Sequence, residues 1–534
     1  MSQPTKQYDI YAAVLNFKEE VTAFSHPYRS YSWVPEAHQR RLQAYEILAA
    51  FYMNYSRDYR KSPESGDDGD NDDILEMGDA AWLCNKLKDK VLGERVRLSI
   101  PLPRVLKDNE QEAEILARRE AVLQDWWDSQ NISAAVDENE TKCSYLGDCV
   151  YVVGWRGEDH EPAITTYDPG FYFPSGEIYE DSWEEGGGKV LSRVMFAWEE
   201  ETDEDDSFLI YRDVYELRRF GENDTRCYRQ SAYYSSSTQD TKTIEELEES
   251  DLTYDESETW VDLGIAFMPV VHVPNFRLQG EMYGLSNLTH HLHNIDSIIN
   301  TDTDLSKNST KLGGVTCFVS GDSISIPRDS TTGEYVAVEI QPGSLYVLGK
   351  DGRLHVLDTS TMQKALLDTK DYLNEKLIRN TGITEVGAGM MKGSDLPSGI
   401  ALRIMMQPLI DKVKPMREQR RVAYTELFWM VQQFYLMEGT PEQKAVFAGT
   451  LYDVDMVFGE IVPADRETKL KEYLIIKDLF GIDEMLRIAK EEGMDIDIQA
   501  IKDAAKKAAE DQLKMEREMF NAGRREDTGE GDDE

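Results

Sequence analysis

The chain has 534 residues, 40% of them hydrophobic, and a formal charge of −43 from 101 acidic against 58 basic residues. That length supports several packed units. The charge excludes a broad nucleic-acid-gripping face, which needs basic side chains to neutralise phosphate; a negative wall can still let a negative polymer pass, or can serve only to keep a large protein in solution.

In chain order, residues 1–60 read as helical, most strongly over 36–59. The acidic stretch 62–73 is expected as an exposed loop or a disordered insert. A helix over 74–92 stops at Gly93, and a strand over 95–102 stops at Pro101 and Pro103. A charged helix follows over 108–130, closed by Trp126 and Trp127. From 144 to 273 the texture is β, with strands over 145–155, 190–198 and 208–220 and acidic turns over 199–206 and 245–258.

The pattern then returns to helix over 285–311, to β over 316–357 with turn signals at Gly321, Gly333, Gly343 and Gly352, and to helix over 361–379. A glycine-rich loop over 382–399 opens into about 38 residues of helical periodicity. There Leu402, Met406, Leu409, Val413, Met416, Ala423, Leu427, Met430, Phe434 and Met437 recur at four- and three-residue steps, one apolar stripe broken only by Arg420. Pro408 and Pro415 lie inside it, each costing about 3 kcal/mol in a helix interior. Because the stripe continues across both, a kinked continuous helix is expected, against the alternative of a break at Gln407. Beyond Gly439 come a short β-like piece over 453–462, a helix over 466–480 with Asp465 as its N-cap and Gly481 at its end, a helix from 483 and another over 498–520. The acidic tail 523–534 is expected to be disordered. No internal repeat is visible.

Residues 285–437 thus form a nested unit. If its two shorter helices run antiparallel, the β module sits at one tip and the glycine loop at the other end, and the held-out tip is a docking surface. Lys364 with Asp368, and Glu375 with Arg379, are spaced as i,i+4 ion pairs worth a few tenths of a kcal/mol each, on a solvated face or between copies. Asp296, Asp302, Asp304, Lys307 and Lys311 give the first helix a mixed-charge, solvent-type face.

Enzyme motifs are missing. There is no GxxxxGK[ST] loop, so no ATP hydrolysis is expected, and no GxSxG or HExxH. His290 and His293 are spaced to share a helix face, but no third metal ligand lies near and a polar face is the expected reading. Asp68, Asp70 and Asp72, with Asp79 in the twelfth position, graze a calcium-loop pattern, but Asp73 stands where glycine is required. Cys84, Cys143, Cys149, Cys227 and Cys317 form no CxxC pair, which argues against a disulfide framework or zinc knuckle and for a reducing compartment. The N-terminus lacks a signal pattern, and no apolar run reaches about 18 residues. No catalytic residue, cofactor or metal is expected. A carboxylate-dependent hydrolase, or an intracellular scaffold with no DNA role, remain the alternatives.

In the order of these elements the chain resembles the portal protein, or head-to-tail connector, of tailed double-stranded DNA bacteriophages. Leu396-Pro397-Ser398-Gly399-Ile400-Ala401-Leu402 resembles the signature that opens the portal's spine helix. Phe458-Gly459-Glu460-Ile461-Val462-Pro463-Ala464-Asp465, followed by a helix and Leu479-Phe480-Gly481-Ile482-Asp483, resembles the closing segment of the wing, as does Tyr167-Asp168-Pro169 upstream. The resemblance implies an α+β portal fold with a helical stem, a small β/α clip, a mixed α/β wing, a long kinked spine helix and a C-terminal helical crown. Its parts would be a wing over 1–284, stem helices over 285–311 and 361–381, a clip over 312–360 and a tunnel loop over 382–399. The spine helix and wing return would cover 400–482, the crown 483–522, and the tail 523–534.

The resemblance further implies a homo-oligomeric ring of about twelve copies, a dodecamer, closed by rotational symmetry. It would sit at one vertex of the virion capsid after assembly in the host cytoplasm, off any membrane. Double-stranded DNA would pass through it during packaging and ejection. The clip would contact the terminase large subunit and then head-completion or adaptor proteins, and the wing the major capsid and scaffolding proteins. The tunnel-loop residues would be Val386, Gly387, Gly389, Met390, Met391, Lys392, Gly393 and Ser394, and Lys307, Lys311, Lys364 and Arg379 the stem charges that could face the channel. One lysine per copy at position 392 would make a thin basic collar that guides DNA without holding it, unless it is an ordinary loop lysine.

Overall fold

The computed structural model describes residues 33–56, 74–93, 96–101, 103, 109–180, 189–201, 207–220, 224–237, 242–254, 259–278, 281–312, 317–320, 353–356, 360–389 and 399–459, with a few isolated positions beyond. The chain divides into two compact units, one of residues 1–396 and 404–458, the other of 397–403 and 459–534. Nearly all the described residues belong to the first. The acidic stretch 62–73 and the expected helix over 498–520 and tail lie outside the described residues, as do nearly all of 466–497.

The N-terminal helices are α1 (Glu36–Tyr52) and α2 (Asp79–Leu92). Helix α1 ends earlier than its pattern suggested, because Asn54 takes a left-handed backbone (φ 63°) that no helix can propagate. Helix α2 begins at Asp79 rather than at 74 and does end at Gly93. The strand expected over 95–102 is the three-residue β1 (Arg97–Ser99). Helix α3 (Glu110–Ser129) follows, with the Asn109 side chain accepting from Glu112 N as N-cap.

The sequence pattern passed over α4 (Ile132–Leu146). Its inward face carries Asn139 and Glu140 among Val136, Cys143 and Leu146, so polar residues interrupt the apolar period although all of them are buried. The β region then starts at β2 (Asp148–Arg156), not at 144, and continues with β3 (Glu161–Tyr167), β4 (Tyr172–Glu180), β5 (Lys189–Glu201), β6 (Ser207–Arg219), β7 (Thr225–Ser237), β8 (Thr253–Tyr254), β9 (Val261–Asp262) and β10 (Val270–Pro274). Glu199–Glu201, expected as a turn, extend β5 and pair with Ile210, Leu209 and Phe208.

The strands make two larger antiparallel sheets. One has the order β10-β2-β3; the other runs β4-β5-β6-β7-β8, with β9 also on β7. The principal core lies where the smaller sheet, α3 and α4 meet a long helix, α8 (Gly399–Glu438). Helix α8 runs unbroken through Pro408 and Pro415, so the break at Gln407 does not occur. Met406, Leu409, Val413, Met416, Ala423, Leu427, Met430 and Phe434 of its stripe are buried. A short helix, α9 (Pro441–Phe447), follows, unforeseen but opened by a capping box between Thr440 and Gln443. A last strand, β13 (Asp455–Val457), pairs back with β1. The buried Arg119 of α3 clamps this return, donating to the carbonyls of Val446, Ala448 and Thr450 at 2.8, 2.7 and 2.7 Å. The described protein is therefore α+β, with antiparallel sheets.

Candidate functional site: a helical hairpin and the base of the glycine loop

Between β10 and α8 the chain builds a hairpin of two helices, α5 (Leu292–Leu312) and α6 (Ser360–Thr381), each about 30 Å long. Strand β11 (Cys317–Ser320) follows α5, and β12 (Arg353–Val356) precedes α6. The two strands pair antiparallel, so the helices leave a common tip and run antiparallel, a course the sequence had left as a condition. Helix α5 is shorter than the expected 285–311. Residues 287–291 are turns, entered at Ser286, whose Oγ accepts Leu288 N at 3.0 Å.

A charge pair joins the helices: Lys370 Nζ lies 2.5 Å from Asp302 Oδ1, whose side chain is 4% exposed. Asn294 Nδ2 adds a bond to Leu373 O at 3.3 Å. Of the i,i+4 pairs expected on α6, Glu375–Arg379 forms at 2.6 Å, on an exposed face; Lys364 and Asp368 do not come within ion-pair distance. Lys307 is half-buried and Lys364 exposed, while the Lys311 side chain lies outside the described residues.

The root of α5 is fixed by polar contacts that no periodicity announces. Ser286 Oγ donates to Tyr145 O at 2.6 Å, and Asn287 Nδ2 to Ser144 Oγ at 2.8 Å. Two glycines cross here. A Cβ on Gly147 (φ 105°) would stand 2.6 Å from Gly284 O, and one on Gly284 would collide with Gly147 O and stand 2.7 Å from Asn275 N. The buried Asp148 beside this crossing accepts from Tyr45 Oη at 2.6 Å and Gly284 N at 2.8 Å, and lies 2.7 Å from His272 Nε2.

Arg420, the residue that broke the apolar stripe, is buried and charged. It meets Glu140 of α4 through Nη2–Oε2 at 2.8 Å and Nε–Oε2 at 3.1 Å, with both side chains 1% exposed. Nη1 also donates to Asn275 O at 2.9 Å and Nη2 to Asn275 Oδ1 at 2.8 Å. Tyr424 Oη donates to Glu140 Oε1 at 3.0 Å and lies 3.0 Å from Tyr151 Oη. Burial alone would lower the arginine's pKa, but Cys143 and the Glu140 carboxylate hold it above its usual range.

At its other end α6 turns into the glycine loop. Gly382 (φ 74°) brings the backbone against α8: a Cβ there would lie 3.2 Å from Pro408 O. The first part of the expected loop is a single helical turn, α7 (Glu385–Ala388), capped by Thr384, whose Oγ1 accepts Gly387 N at 3.1 Å and donates to Met406 Sδ at 3.3 Å. Val386 and Gly387 are half-buried and Gly389 is exposed, while Met390, Met391, Lys392, Gly393 and Ser394 lie outside the described residues. The loop's base is thus docked on the first turns of α8.

His290 lies in the turn before α5, so it shares no helix face with His293; both are exposed while His291 is buried. Burial, Lys412 and His290 lower the pKa of His291 to about 4. Cys84, Cys143, Cys149 and Cys227 are buried free thiols. Among the described residues no three or more His, Cys, Asp or Glu side chains converge to hold a metal ion, and no helix is long and apolar enough to cross a membrane. The arrangement is mechanical: a hairpin rooted by buried polar contacts, with a loop base seated on a long helix. Compared with known protein families and curated proteins, the chain matches no family model and no curated protein.

Proposed function

We propose that this chain is a portal protein: copies close into a ring at one capsid vertex, and double-stranded DNA passes through its centre during packaging and ejection. One observation carries the proposal. An antiparallel helical hairpin with a β ladder at its tip leads, through a loop whose base is pinned at Gly382, into one 40-residue helix threaded by two prolines. That order of elements supports the reading, in which they would serve as stem, clip, tunnel loop and spine helix. The hairpin would hold the tip out for the terminase and, later, for head-completion proteins. Capsid and scaffolding proteins would meet the wing.

The surface and charge support the same reading. On the side of α8 turned from the core, Ile404 and Val422 are 69% and 72% exposed. Apolar surface of this kind on a rigid helix suits cover by a neighbouring copy. A net charge of −43 per copy suits a channel that repels the duplex it conducts. Lys392 would supply the thin basic collar.

Negative-stain microscopy of the purified chain, with mass measurement, tests the proposal. Rings with a central hole are expected. A monomer at every concentration, with no ring even in virus particles, overturns it. Lys392→Ala should leave rings intact and change the rate of DNA packaging or its retention; unchanged packaging rate and packaged length remove the collar from the proposal.

A further inference from the structure

A cleft of about 650 Å³ opens between the start of α2 and the second half of α6, with Glu385 of α7 at its edge. Its floor is apolar, made by Trp82, Leu377 and Ile378, and Met77 stands 59% exposed at its mouth. Asp79, Asp371, Glu375 and Glu385 line it, and among the described residues no basic side chain does. Glu375 reaches out to Arg379, which lies off the lining. Asp79 has no such partner. Its Oδ2 is sealed from solvent without a hydrogen bond, and the nearby Lys370 is already held by Asp302 at 2.5 Å. Burial, with Asp302 close by, raises the Asp79 pKa, and Lys370 offsets part of that rise.

We propose that this cleft docks a basic segment of a partner protein, with an aliphatic side chain seated on Trp82, Leu377 and Ile378 and an arginine or lysine directed at the exposed carboxylates of Asp371 and Glu385. Charge complementarity selects this occupant. Four carboxylates with no basic side chain among the described lining residues favour a cation, and the described carboxylates do not converge as a metal site would require. An apolar floor inside an acidic rim matches a peptide that alternates aliphatic and basic residues, in which the apolar residue anchors and the charges select. A second copy, at −43, brings excess negative charge to the same rim. The inference rests on the cleft alone and stands whether or not the chain forms rings.

The test uses the full chain and two acetylated tetrapeptide amides, one alternating leucine with arginine and the other leucine with glutamate. Fluorescence anisotropy measures affinity, and a photo-reactive leucine maps the contact by mass spectrometry. The arginine peptide is expected to bind and to crosslink within 77–82 and 374–378, while the glutamate peptide does neither. Glu385→Gln, at an exposed position, should weaken binding several-fold, and adding Asp371→Asn, also exposed, should bring the loss to about tenfold. Crosslinks elsewhere, equal binding of the two peptides, or affinity indifferent to both substitutions overturn the proposal. So does binding by the isolated chain that vanishes once copies assemble, because the occupant is then the neighbouring copy.

Discussion

A charge inside an apolar stripe is either turned to water or paired in the core, and Arg420 is paired. Removing one member of a buried ion pair strands the other, at about 3–5 kcal/mol, whereas replacing both with apolar groups is close to neutral. Glu140→Gln should therefore lower the urea midpoint strongly, since Arg420 then faces a neutral amide at 1% exposure. The double variant Glu140→Met with Arg420→Met should recover most of the loss. Equal midpoints for Glu140→Gln and the native chain would mean the pair is not closed in solution. Two histidines set an acid limit as well. Burial and Arg41 lower the His38 pKa to about 4, as burial and Lys412 do for His291. Between the unfolded value near 6.5 and about 4 the unfolded chain binds more protons, so stability is complete above the upper value and falls with pH below it. The His38 site accounts for up to about 3 kcal/mol across that window, and His291, nearer solvent, for less. Melting temperatures at pH 7, 5.5 and 4.5 should fall in that order, and His38→Gln should flatten the decline; an identical slope in that variant would show that the ring titrates freely.

The hairpin is only as rigid as its root, and the root depends on two glycines on different elements. At Gly284 the obstructing atoms are backbone, namely Gly147 O and Asn275 N, which have no rotamer to yield. Gly284→Ala should cost about 2–4 kcal/mol, in the range of an overpacked core. Gly154 in β2, with nothing within 4 Å of its would-be Cβ, is the internal control; Gly154→Ala should stay within about 0.5 kcal/mol of the native chain. Urea unfolding of the two variants decides it, and similar midpoints would remove the crossing from the account of the root. Periodicity explains which elements could be foreseen. The stripe on α8 and the two helices of the hairpin were legible because a helix's buried face repeats within a few residues, whereas periodicity does not give the helices' relative direction. Helix α4 was not, since Asn139 and Glu140 occupy buried positions and meet Val150 O and Arg420, partners that local sequence does not display. The same holds for Asp302: its charge reads as solvent-facing in the sequence, and only the fold sets Lys370 of the other helix beside it. The glycine loop was legible as a loop, but the turn of helix within it depends on Thr384 docking against Met406.

At the scale of the whole molecule, the proposed assembly would have to overcome charge. Copies bearing −43 each repel one another, and the repulsion between exposed charges is screened over about 10 Å at 0.1 M salt and about 3 Å at 1 M. Apolar contacts gain nothing from dilution of salt, while ion pairs between copies would be weakened by its addition. If copies meet through surfaces such as the exposed side of α8, added sodium chloride should raise the fraction of rings at fixed protein concentration. Val422→Glu, changing a residue 72% exposed in the single chain, should then lower that fraction by about tenfold or more while leaving the melting temperature of the unassembled chain within a degree or two. Mass photometry across a salt series reads both effects. Rings that dissolve as salt rises would place ion pairs, not apolar cover, at the junction. A Val422→Glu chain that assembles as well as the native one would move the junction to another face, and the charge per copy would then limit where that face could be.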